Sequence, residues 1–367
     1  MSYGVCITLI GPALGSIQEY FSIHSAAVGL LFTAQSAGFI PTVLAGGYCV
    51  DRFGIRKISL AGQLVLSIGL CVFSFASTFP MACIGYMLTG IGGALIEIAT
   101  NTLVSSLNEH SRAPALNILH MFFGAGALIG PVVSAYMLDS GFAWRTVYDM
   151  LCVASLLVFA LLAVARFPSV VGSKTLTFRS LKMLFGNRTV ILLCFATICY
   201  VGAEMAINNW SVLYMEKAFS VRTLVAGVFL SYFWIAMTLG RILCSLLSRR
   251  LGEGHMLLYL CAASLGVYAF YLVAPGPIYA ALSLVMLGVA FSGVFPTILA
   301  IGGNVSGGAL GTVTGILMAC TGIGSMVFPA LVGIIAEAFT LRCGMIALAL
   351  VFFLLVVFSF YINKEIL

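Results

Sequence analysis

Charge is scarce in this sequence. Only 8% of its 367 residues are Asp, Glu, Lys or Arg, against 62% that are hydrophobic, and mean hydropathy is +1.16. A chain so poor in charge cannot clothe a water-soluble domain, so that class is excluded. Histidine is scarcer still, at 4 residues. The 11 cysteines stand singly, mostly inside apolar segments (Cys71, Cys194, Cys261), with no CxxC and no Cys/His ligand spacing. They read as small packing residues, and neither metal nor cofactor is expected. No nucleophile–base pair and no phosphate-binding loop appears, which argues against an enzyme. Short alternating segments are absent too, which argues against a β-barrel. The first apolar stretch has no basic n-region and no cleavage site, so it reads as a retained helix.

Long apolar runs are abundant. Breaking the chain at charged or Pro/Gly turns gives six per half: 1–21, 25–50, 57–78, 80–106, 113–138 and 143–166, then 188–216, 222–248, 255–274, 277–303, 308–337 and 341–362. Each is long enough to span hydrocarbon as a helix. The fold class expected is an all-α membrane protein of 12 transmembrane helices. The 39 glycines fall mainly within these helices, where small residues let backbones approach closely.

The two sets are copies. At an offset of 198, Phe21-Ser22 meets Phe219-Ser220, Gly29 meets Gly227, and Arg52 and Gly54 meet Arg250 and Gly252. Further on, Gly90 meets Gly288, Gly124 and Gly126 meet Gly322 and Gly324, and Pro131 meets Pro329. An acid follows each of those prolines by eight positions, Asp139 and Glu337. Six helices per copy is even, so both copies enter the membrane from the same side, and parallel repeats of this kind mark secondary transporters. The expected units are six-helix bundles over 1–166 and 188–367, joined by a linker at 167–187. That linker reads either as an amphipathic helix on the cytoplasmic leaflet or as a loose tether. By the same offset, helix 1 should start about ten positions before Met1, so its first turns are expected to lie upstream of the sequence.

Twelve of the 17 basic residues, from Arg52 to Lys364, fall on one face, while Arg145, Lys217, Arg222 and Arg342 fall on the other. This asymmetry predicts cytoplasmic termini and linker, in a cell (inner) membrane. It also explains the net charge of +6 without nucleic acid. The lipid bilayer is the expected partner surface, and the chain is expected to be a monomer.

After the second apolar segment the sequence reads Gly47-Tyr-Cys-Val-Asp51-Arg52-Phe-Gly54-Ile-Arg56-Lys57. This resembles the G-x-x-x-D-R-x-G-x-R-K signature of the major facilitator superfamily. Glu97-Ile-Ala-Thr-Asn101, Leu116-Asn117-Ile-Leu-His120, Tyr200-Val-Gly-Ala-Glu204, Gly240-Arg241 and Phe295-Pro296-Thr297-Ile298 are similar to segments of its fucose/glucose/galactose:proton symporters. The chain departs from that branch at Thr8, where an acid is usual, at Thr102 in place of proline, and at Phe123 in place of asparagine. The resemblance implies proton-coupled alternating access for a small polar solute such as a monosaccharide. Sodium coupling is left open. The partial motif Gly126-Ala-Leu-Ile-Gly130-Pro131 keeps an efflux antiporter for lipophilic compounds as the alternative, and a sensor that has lost transport is a further one.

Glu97 and Glu204 lie deep in apolar segments, where a carboxylate must face a cavity, pair, or take up a proton. Both are expected in proton coupling, with Glu204 also in reach of solute. Asn101 and Asn208 follow them by four and so share their helix faces. His120 and Asn117, three apart, are candidates for proton relay and solute contact, and His120 satisfied by a backbone carbonyl is the alternative. Trp210 and Trp234 could stack on a sugar face, or belong to the interfacial belt with Tyr214. Asp51, Arg52, Gly54, Arg56, Lys57 and Arg112 are the expected gate, with Asp51 capping a helix near Gly307-Gly308. Arg241, the lone intramembrane cation, is grouped with that gate as an acid's partner or a helix cap, with a solute carboxylate as the further alternative.

Overall fold

The structure, a computed structural model, describes residues 1–107, 112–167, 187–305 and 310–366. Side chains at 51, 105, 112–117, 245–250 and 310–312 lie outside the described set. No strand occurs among the described residues. The first half runs α1 (Ser2–Thr8), α2 (Ile10–Phe21), α3 (Ser25–Phe53), α4 (Ile55–Ser74), α5 (Phe79–Leu107), α6 (Arg112–Asp139) and α7 (Trp144–Val164). The second runs α8 (Arg188–Phe219), α9 (Thr223–Leu251), α10 (Glu253–Leu272), α11 (Pro277–Ser292), α12 (Val294–Asn304), α13 (Leu310–Ala338) and α14 (Leu341–Ile366). Eleven apolar helical spans among the described residues are long enough to cross a membrane. The α1–α2 rod supplies the twelfth.

That rod was expected to be one helix, as was α11–α12, and both are interrupted for the same reason. Each break, at Leu9 and at Gly293, falls three residues before a proline. Pro12 and Pro296 have no N–H to give the carbonyl of Thr8 or Ser292, so the ladder loses a rung there. Leu9 keeps right-handed helical angles (φ −59°, ψ −29°), so the axis continues through the break.

The repeat is carried by the backbone itself. Helices α3 and α9, of 29 residues each, start and end 198 positions apart, and so do α4 and α10, of 20 residues each. Ser22 and Ser220 end α2 and α8 in the left-handed region, at φ 52° and 53°. Gly54 and Gly252 open α4 and α10 at φ 83° and 75°, a conformation that only glycine adopts readily.

Packing repeats as well. In the first half α4 lies on α5 and α7, and α3 on α5, while in the second half α9 lies on α11 and α10 on α14. A Cβ at Gly90 would come 2.0 Å from the Gln35 carbonyl oxygen, and one at Gly288 2.3 Å from that of Phe233. Gln35 and Phe233 are themselves one repeat apart, so each half uses one glycine to bring the same two backbones together. Large apolar side chains such as Leu157, Leu161 and Val164 are turned outward, as a lipid-facing surface requires. Across the halves, α3 packs on α13, α6 on α9, and α2 on α8.

Candidate functional site

The seam between the halves is closed at one end by two related contacts. Arg222, before α9, makes an ion pair with Asp139, the last residue of α6, and its Nε donates to Asp139 Oδ1 at 3.1 Å. Ala26, in the first turn of α3, donates its backbone N–H to Glu337 Oε2 of α13 at 2.9 Å. An acid at a helix C-terminus is unfavourable within its own helix, but here each carboxylate serves the start of a helix in the other half. These are the two acids at the 198-residue offset. The signal was in the sequence, yet it pointed to no role until the partners were placed.

Below the latches the seam is tight. A Cβ at Gly29 would meet Ala330 at 3.0 Å, and one at Gly227 would meet Ala135 Cβ at 2.4 Å. Trp210 is fully buried, donates from Nε1 to the Pro329 carbonyl at 2.9 Å, and meets Phe32 edge-on. Asn208 donates to the Ile7 carbonyl at 3.4 Å and to Asn209 Oδ1 at 3.0 Å, and accepts from Trp234 Nε1 at 3.1 Å. Asn208, Trp210 and Trp234, expected to face the solute, are thus engaged with protein partners in this conformation. Both indole N–H groups are already used, and the rings are packed inside the seam.

Neutralising the latch tests its function. Exposed ion pairs and helix-end charges contribute about 0.3–1 kcal/mol each. The double variant Asp139→Asn, Glu337→Gln is therefore expected to shift the balance toward opening at this end by roughly tenfold. Spin labels at Ala26 and Ala336 would report the change in distance; an unchanged distribution would show that the latch holds nothing.

Further along the seam lies a polar cluster built from both halves. Helix α8 carries Tyr200 and, one turn on, Glu204, which is 8% exposed. The Tyr200 hydroxyl donates to the Phe291 carbonyl at 3.3 Å and lies beside the Glu204 carboxyl. Arg241 of α9 acts electrostatically on Tyr200 and Glu204, and also on His120 of α6. The α6–α9 approach behind this is close, since a Cβ at Gly124 would meet Thr238 Oγ1 at 2.7 Å. Arg241, grouped with the gate as an acid's partner or a helix cap, thus lies within electrostatic reach of Glu204. The side chain of Asn117 lies outside the described set.

Glu97 lies on α5, half-buried, with no ion-pair partner among the described residues. Its charge acts on Tyr3 of α1, whose ring covers Gly93 one turn before Glu97. Tyr3 in turn stacks on Phe39 and meets Phe123 edge-on. Asn101, one turn past Glu97, has a buried Oδ1 without a partner, and so does Gln35 at its Nε2. Sequence reasoning passed over Tyr3 and Tyr200; for Tyr200 the i, i+4 spacing to Glu204 was the available signal. Each half thus places a tyrosine beside an acid.

The signature loop sits at the other end of the molecule. Arg52 donates to Tyr48 Oη at 2.6 Å, and its guanidinium lies over the Tyr48 and Phe53 rings. Arg56 Nη2 donates at 2.9 Å to the Ala163 carbonyl in the last turn of α7, where positive charge complements the helix dipole. Lys57 is exposed, and Gly54 supplies the turn. Arg52 and Arg56 are thus bound within their own half, while the side chains of Asp51 and Arg112, and residues 307 and 308, lie outside the described set.

Comparison with known proteins places this geometry. The family model for the Major Facilitator Superfamily matches residues 1–316. A protein TsgA homolog of Buchnera aphidicola is 23% identical over 297 residues, covering 81% of this chain and 76% of that one. The crystal structure of the E. coli fucose:proton symporter FucP superposes with a TM-score of 0.67 at 20% identity, over 98% of this chain and 96% of that one. That of a D-xylose-proton symporter gives 0.77 at 16% identity, over 99% and 93%. With eleven apolar spans and the α1–α2 rod among the described residues, and a family match over most of its length, the chain belongs to the major facilitator superfamily and is a membrane transporter, not an enzyme.

Proposed function

We propose that the protein is a proton-coupled symporter for a small polar solute, a monosaccharide or a relative of one. The observation that carries this is the acid in each half, Glu97 and Glu204, each beside a tyrosine. A carboxyl in such a place is expensive when ionised and so suits reversible protonation. The two structural neighbours named above, a fucose and a xylose symporter, support the solute class by analogy of fold. The basic asymmetry puts the signature loop in the cytoplasm, so the latched end faces outward. The bundles 1–166 and 188–367 then rock about the central cluster, and the signature loop latches the opposite state. The unit of transport is a monomer.

The test is internal pH in proteoliposomes holding the purified protein, recorded as each member of a monosaccharide panel is added outside. Acidification with at least one sugar is expected. Silence across the panel from folded protein would remove this reading and favour the lipophilic-compound exporter.

A further inference from the structure

The unexplained group in the seam is Arg241. A guanidinium at the depth of a membrane helix is expensive, and such residues pair with acids or line a solute path. Here no carboxylate lies within ion-pair distance among the described residues. Nε is sealed from solvent without an acceptor, whereas the side chain as a whole stays partly exposed. Glu204, an acid that feels the guanidinium's charge, also lies beside the Tyr200 hydroxyl on its own helix. A guanidinium with a sealed, unpartnered Nε and no ion-pair partner among the described residues is suited to take a carboxylate in bidentate fashion. His120 faces Arg241 from the opposite half, so an anion held there would touch both bundles.

We propose that the transported solute carries a carboxylate, of hexuronate size, and that Arg241 is the residue that receives it. This rests on the symport reading above and names the solute class within it. The two solute classes differ in charge balance. Protonation of Glu97 removes one negative charge from the membrane interior as the solute brings one in, so the loaded carrier crosses with no net change. A neutral hexose carried with one proton would instead move a full positive charge.

The experiment compares matched pairs, glucose with glucuronate and galactose with galacturonate, in proteoliposomes under an inward proton gradient. A hexuronate KM at least tenfold below that of its hexose is expected. Arg241→Gln should erase that preference, and Arg241→Lys should retain part of it. Under an imposed potential of 100 mV without a pH gradient, hexuronate accumulation should stay near unity, whereas a neutral sugar carried with a proton would rise roughly fiftyfold. Hexose carried as well as or better than hexuronate would overturn the anion site and leave the symporter standing. Transport of neither would sink the symport reading and this inference with it. If Arg241→Gln fails to fold, the wild-type comparison decides alone.

Discussion

Replacing Glu97 by Gln is expected to abolish uphill accumulation while leaving solute exchange intact. Gln has the shape and neutrality of the protonated acid but cannot release a proton. An exchanging carrier shuttles loaded in both directions and never needs that release, so labelled solute should still equilibrate across the membrane. Net uptake requires the empty carrier to return deprotonated, and that step is lost. A gradient of one pH unit is worth about 1.4 kcal/mol per proton, so the wild type should concentrate solute roughly tenfold and the variant not at all. Glu97 suits this role because it has no ion-pair partner among the described residues and its charge is felt by Tyr3 of the same half. Loss of exchange together with accumulation would assign Glu97 to solute binding or to packing instead.

The second large effect is steric, and the repeat makes it a matched experiment. Gly90→Leu and Gly288→Leu would each drive a side chain into a backbone carbonyl of the neighbouring helix within one half. Backbone cannot yield as a flexible side chain does, so each should cost about 3 kcal/mol or more and lower the melting temperature to a similar extent. Gly29→Leu and Gly227→Leu place the same bulk between halves, against Ala330 and Ala135. There the halves can simply part, so melting should change little while the latched end is propped open. Thermal unfolding in detergent, paired with spin-label distances across the latch, separates the two cases. Equal destabilisation by all four would mean that the seam is as rigid as the bundles, against rocking.

Much of this architecture was legible because membrane helices declare themselves locally. A run of twenty apolar residues must be helical in lipid, since no water is available for its backbone. The 198-residue offset likewise needed only the turn glycines, Gly54 and Gly252, and the helix-ending serines, Ser22 and Ser220. Even the breaks at Leu9 and Gly293 were implicit in Pro12 and Pro296, through the N–H that proline lacks.

The site was legible only in part. Glu97 and Glu204 stood out because charge is so rare in these helices. Sequence could not say that Arg241 belongs with Glu204 and His120, because they come from three helices and meet only once α6, α8 and α9 are packed. Nor could it say that Trp210, Trp234 and Asn208 are consumed by the seam, because their hydrogen-bond partners, Pro329, Ile7 and one another, are distant in the chain. Composition and periodicity alone determined that this is a twelve-helix repeat protein of the membrane, since lipid allows an apolar segment so few structures. Which polar groups stay free for a solute was decided by tertiary structure, because a buried donor or acceptor is available only if no neighbouring helix has already satisfied it.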